Sequence, residues 1–277
     1  MTLIDYLRLS FVQYALVVSI LTALCAALVG VPLVLKRYSL IGSGLSHVAF
    51  AGLALSAVIN LKAPMFLVIP LTIAVAILLL AFGRNAKVKG DASVAMISIG
   101  ALALGYFLLN TFPVFHFTGD IAGALFGDST QMVTLTTADI WLSVGMAVLV
   151  IGFFVFFYNK IFAITFDADF MKATGAKAKM YEILVAVLIA IVVSLSMRLV
   201  GSLLTAALII FPALSAMRLF KDFKKVVICS GIISVICATF GMLSAIVWEG
   251  TPVGATIVMA NIAIFGVCFG TGLLLKQ

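Results

Sequence analysis

Residues 36–52 read KRYSLIGSGLSHVAFAG, a basic pair followed by an apolar segment that carries Ser43, Ser46 and His47. Ser43 and His47 stand four positions apart, so an α-helix would place both side chains on one face. Polar and ionisable groups inside a membrane-spanning segment are costly, and they usually meet a partner, a water-filled path or a ligand. The segment therefore predicts a functional helix if the chain lies in a membrane.

The composition of the chain indicates an integral membrane protein. Of its 277 residues, 65% are hydrophobic and only 10% are charged, and the mean hydropathy is +1.33. A helix needs about 20 mostly apolar residues to cross a bilayer. We predict an all-α polytopic bundle of eight or nine transmembrane helices, forming a single domain over residues 1–277. The nine candidate spans, of which the sixth and seventh are short, are 11–35, 40–60, 65–82, 92–111, 140–158, 183–197, 201–217, 226–248 and 253–275.

The placement of the positive charges predicts the orientation of this bundle. The net charge is +7, but the Lys and Arg residues cluster at span ends, which argues against a nucleic-acid partner and for contact with membrane lipids. The C-terminus and the loops at 36–37, 84–89, 160–179 and 218–225 together hold 14 of the 17 basic residues. Under the positive-inside rule these loops and the C-terminus face the cytoplasm.

Residues 112–137 contain no Lys or Arg and carry His116, Asp120 and Asp128. We expect this segment on the extracellular face, where acidic groups would raise the local concentration of cations. His116 and Asp120 are therefore candidate metal-contacting residues. The alternative is an ordinary polar loop between two spans.

Residues 165–182, TFDADFMKATGAKAKMYE, form a polar segment on the predicted cytoplasmic side. Thr165 or Asp167 could cap a short helix that contains Phe166 and Phe170, and Gly175 could end it. Such a helix would dock onto a soluble partner through its apolar side chains. A helix lying on the lipid headgroups is the alternative.

Five segments, taken in order and with their spacing, resemble the permeases of ABC-type importers for zinc, manganese and related divalent metals. The resemblance covers nearly the whole chain, and it implies the vitamin-B12-permease-like fold of type II ABC importers. The segments are LVLKRYSLIGSGLSHVAFAGLAL (33–55), KGDASVAMISIGALALG (89–105), FDADFMKATGAK (166–177), LVGSLLTAALIIFPALSAMRL (199–219) and TPVGATIVMANIAIF (251–265).

The resemblance implies a homodimer in a bacterial plasma membrane, driven by two cytoplasmic ATPase subunits and supplied by an extracellular solute-binding protein. The cargo would be Zn²⁺ or Mn²⁺, with Fe²⁺ as a further candidate. No G-x-x-x-x-G-K-[ST] phosphate loop occurs in the chain, so ATP would bind only to the partner subunit and the chain itself is not expected to be an enzyme. The segment at about 165–180 would be the coupling helix that contacts the ATPase, with the following residues in that role: Phe166, Asp167, Phe170, Lys172, Gly175 and Lys177.

The second span departs from the family pattern, which is Asp-x-x-x-His. His47 occupies the histidine position, but Ser43 stands where the family has aspartate. A hydroxyl is a weak, neutral ligand and supplies no negative charge to offset a cation in a low-dielectric path. Asp120 could compensate, the ion could pass partly hydrated, or the cargo could differ from the usual metals. A structural His47 bonded to Ser43, Ser46 or a backbone carbonyl is the alternative role.

Two other functions fit the sequence less well. An intramembrane serine protease is disfavoured because residues 41–44, IGSG, lack the glycine two positions before the serine, and His47 is poorly placed to activate Ser43. An ion-coupled secondary carrier is disfavoured because the acidic residues lie at span ends or in loops rather than at mid-span.

Overall fold

The computed structural model describes residues 9–36, 38–61, 63–85, 90–112, 127, 135–167, 171, 178–247 and 251–274. Within these residues the regular structure is helical, and eight helices are long and apolar enough to cross a membrane. A further helix contributes a shorter apolar stretch, Met65–Leu79, so the prediction of an all-α polytopic bundle is confirmed. The described helices are α1 Ser10–Leu35, α2 Ser39–Val58, α3 Met65–Asn85, α4 Gly90–Thr111, α5 Thr137–Phe166, α6 Ala178–Val200, α7 Ser202–Leu219, α8 Phe223–Val247 and α9 Val253–Leu274.

The core of the bundle is built around α1. This helix packs against α5, α7 and α8, while α2 packs against α3, α4 and α7. The most apolar stretch of each of α1, α2 and α6 is 67% buried, whereas the corresponding stretch of α4 is only 11% buried. Helix α4 therefore lies at the periphery and contacts mainly α2.

The junction of α6 and α7 depends on a glycine. Gly201 separates the two helices and has φ of 90°, a left-handed conformation that side chains with a Cβ rarely adopt. Pro212 lies inside α7, which continues past it to Leu219.

One expectation for the 165–182 segment is wrong. Thr165 and Phe166 belong to the last turn of α5 rather than to a separate short helix. The apolar residues of α5 extend the helix to that point, and the Thr165 hydroxyl donates a hydrogen bond to the carbonyl of Ile161 at 2.6 Å. Asp167 follows as the C-cap of that helix, and its carbonyl accepts a hydrogen bond from the N–H of Met171 at 3.3 Å.

Candidate functional site

The polar face of α2 is partly open. Ser43 and His47 are each half-buried, whereas Gly44, Leu45 and Ser46 between them are buried. The helix therefore keeps both polar side chains on one accessible face, as the spacing of four residues predicts. This shared face is the candidate site.

His47 forms a hydrogen bond with a neighbouring helix. Its Nδ1 atom lies 2.8 Å from the Oγ of Ser98 in α4. The hydroxyl of Ser46 instead donates to the carbonyl of Ser43 at 2.8 Å. The partner of His47 Nδ1 is thus Ser98 rather than Ser43 or Ser46, and the imidazole connects α2 to α4.

Small residues allow α4 to approach α2 this closely. A methyl group at Gly105 would come within 2.7 Å of the Phe50 ring, and one at Gly44 would come within 3.1 Å of a Val94 methyl. Both distances are shorter than ordinary contacts, so glycine permits the close packing of the two helices. We call this contact between α2 and α4 the seam.

The ligand atoms that the described residues offer at the seam are neutral. They are the free imidazole nitrogen of His47 and the hydroxyls of Ser43 and Ser98. The described part of the chain has no group of three or more His, Cys, Asp or Glu side chains able to hold a metal ion. The other candidate ligands, His116 and Asp120, lie outside the described residues.

A second polar feature lies where α1 and α5 end and α2 and α6 begin, which we call the basic end. The ammonium group of Lys36 lies 3.4 Å from the carboxylate of Glu182. Both line an open, mainly apolar cavity, together with Tyr38 and Thr165. This ion pair joins the end of α1 to the start of α6.

The described part of the coupling segment lies at the same end. The Phe166 ring is 57% exposed and contacts the Phe162 and Phe223 rings at centroid distances of 4.9 and 6.0 Å. Four of the predicted coupling residues fall outside the described residues: Phe170, Lys172, Gly175 and Lys177.

The sequence pattern of the ABC 3 transport family matches residues 8–271. The chain belongs to the ABC 3 transport family. It is 27% identical to the manganese import system permease protein ScaB of Streptococcus gordonii, over 94% of this chain and 90% of that protein. It is also 26% identical to the manganese transport system membrane protein MntC of Halalkalibacterium halodurans, over 95% of this chain and 88% of the relative.

A solved structure shares the fold. The structure of PsaBC from Streptococcus pneumoniae in complex with Fab superposes with a TM-score of 0.84 at 26% identity, covering 96% of this chain and 94% of that one. The expected ABC-permease resemblance and type II importer fold are confirmed. The chain is therefore a multi-pass membrane permease, in keeping with a transport subunit rather than an enzyme.

Ser98 is the site residue that the sequence did not single out. It lies in the quoted segment 89–105, where it is a polar residue among MISIGALALG. A polar residue in this apolar segment is a signal of function, but the sequence does not show that the faces of α2 and α4 meet, so it could not predict that Ser98 pairs with His47. The contact between Thr72 and Ser194, 2.6 Å apart and joining α3 to α6, was missed for the same reason.

Proposed function

We propose that this chain is the membrane-spanning permease subunit of an ATP-driven importer of divalent transition metal ions. The family match over residues 8–271 carries the proposal, and the half-open face of α2 with His47 supplies a place for an ion to pass. Zn²⁺ and Mn²⁺ are the candidate cargoes, with Fe²⁺ as a further one. The relatives named for manganese support Mn²⁺, and the imidazole of His47 suits Zn²⁺ and Fe²⁺.

In this proposal His47 is the main ligand of the ion in transit, and Ser43 is a weak one beside it. Asp120 and His116 would collect cations at the extracellular mouth. One imidazole and one hydroxyl hold a divalent ion weakly, because they are few and provide no charge to offset its loss of water. Weak binding suits a path in which the ion must leave after it enters.

The whole chain, residues 1–277, acts as one permease domain and pairs with a second copy of itself in the bacterial plasma membrane. An extracellular solute-binding protein delivers the metal to the gap between the two copies. Two cytoplasmic ATPase subunits bind the basic end through the segment at 165–180, and the C-terminus lies on the same side. ATP binding and hydrolysis then switch the helices between outward-open and inward-open arrangements.

Reconstituted vesicles test this function. The permease is co-purified with its ATPase partner, placed in vesicles and supplied with the metal-loaded binding protein. We expect uptake of radioactive Zn²⁺ or Mn²⁺ that requires ATP and stops when the ATPase cannot hydrolyse it. The control is the permease alone under a proton or sodium gradient, and metal uptake in that control would favour an ion-coupled carrier instead.

A further inference from the structure

The hydrogen bond between His47 and Ser98 is the contact at which the candidate ligand meets a second helix. The two atoms are 2.8 Å apart, an ordinary hydrogen-bond distance for an imidazole nitrogen and a hydroxyl. Both side chains are half-buried. The seam places them together, because glycines on either side of this contact let α4 lie against α2.

We propose that Ser98 is a positioning residue that holds His47 ready to bind the transported ion through Nε2. This inference rests on the proposed function. A neutral imidazole carries one proton, so only one of its ring nitrogens can bind a metal. When Nδ1–H donates to the Ser98 oxygen, the Nε2 lone pair is free for the ion.

The hydrogen bond also fixes the direction of the ring. Histidines that bind metals commonly donate their other N–H to an oxygen, which sets the tautomer and the ring orientation. The Oγ of Ser98 lies within hydrogen-bonding distance of His47 Nδ1. Without it, the ring could rotate or place its proton on Nε2, and both changes would weaken ion binding.

In this proposal Ser98 acts on ion binding through its hydrogen bond to His47. Ion binding should therefore depend on the hydroxyl of residue 98 and not on the size of its side chain. Threonine keeps the hydroxyl and valine has the same shape without it. The pair Ser98→Thr and Ser98→Val therefore separates the two effects, even if Ser98→Ala disturbs the seam. Ser93→Ala is the matched control, because Ser93 is a half-buried serine of the same helix for which no hydrogen bond is recorded.

The test measures Zn²⁺ binding to the intact complex of permease and ATPase in lipid nanodiscs, by competition with a fluorescent indicator. The site of interest is the Zn²⁺ binding that His47→Ala abolishes. We expect Ser98→Val and Ser98→Ala to weaken binding at this site about tenfold, while Ser98→Thr and Ser93→Ala change it less than twofold.

The outcomes separate the inference from the function it rests on. If Ser98→Val binds Zn²⁺ as the parent complex does, or binds as Ser98→Thr does, Ser98 does not position His47 and the inference is overturned. A complex that transports metal but shows no His47-dependent Zn²⁺ site overturns it as well. If the parent complex transports no divalent metal at all, the proposed function fails.

Discussion

The guanidinium group of Arg198, near the end of α6, lies 3.5 Å from the carboxylate of Asp139 at the start of α5. The same carboxylate accepts hydrogen bonds from the backbone N–H and the hydroxyl of Thr136, at 2.9 and 2.8 Å. Asp139 is only 8% exposed. One carboxylate thus closes the first turn of α5 and connects it to α6, at the end of the bundle opposite the basic end.

Substitution Asp139→Ala should destabilise the protein by about 1–3 kcal/mol, because it removes a helix cap and leaves partly buried donors without an acceptor. Thermal unfolding of the purified protein in detergent measures the effect. The control is Lys225→Ala, which removes an ion pair with Asp222 whose side chains are 63% and 64% exposed. Exposed pairs contribute about 1 kcal/mol or less, so equal losses in the two variants would contradict this role of Asp139.

Substitution Gly30→Ala should force α1 and α7 apart. A Cβ atom at Gly30 would overlap the carbonyl oxygen of Ile209, and a backbone group cannot move aside as a flexible side chain can. Overpacking of this kind costs about 1–3 kcal/mol. Gly145→Ala in α5 is the control, because the space around Gly145 is open and alanine favours a helix by up to about 1 kcal/mol. A Gly30→Ala protein as heat-stable as Gly145→Ala would refute the close contact.

Hydropathy was enough to place the spans, because each helix carries its own apolar length. The contacts between helices could not be placed in the same way. The Thr136-x-x-Asp139 pattern indicates the capping of α5, but the sequence near these residues does not predict the ion pair between Asp139 and Arg198 of α6. The alternative, structural role of His47 named Ser43, Ser46 or a backbone carbonyl as its partner, because only the spacing along α2 was known; the contact with Ser98 of α4 did not follow from that spacing. Thr165 and Phe166 were expected in a separate short helix because polar residues follow them directly, but they end α5.

Met171 should matter for coupling to the ATPase. Its side chain is 4% exposed and packs with Ile164 of α5 and Ala178 of α6, so it fastens the coupling segment to two spans. We expect Met171→Ala to reduce the ATPase stimulation produced by the metal-loaded binding protein at least twofold, while the ATPase still co-purifies. Met259→Ala on α9, where Met259 is 65% exposed, should leave stimulation unchanged. Equal stimulation in both variants would show that Met171 transmits no movement.

His47→Ala should lower ATP-dependent metal uptake by about tenfold or more, since it removes the only imidazole on the open face of α2. The ATPase should still co-purify with the variant permease, because His47 lies about two helical turns from the start of α2 at the basic end. Ser46→Ala is the matched control, one residue away on the same helix, since the Ser46 hydroxyl bonds only within α2. Uptake that survives His47→Ala at the level of Ser46→Ala would take His47 out of the ion path.

Ser43→Asp should tighten ion binding and shift the preference toward Mn²⁺. Ser43 is half-buried on the same face as His47, and a carboxylate there would add a negative charge one helical turn from the imidazole. Carboxylate oxygen suits Mn²⁺ better than an imidazole alone does, whereas imidazole already suits Zn²⁺. Uptake of Mn²⁺ in competition with Zn²⁺, compared between the parent protein and the variant, measures the shift. Ser43→Asn has nearly the same shape as Ser43→Asp and no charge, so an identical change in both would mean that size and not charge selects the ion at this position.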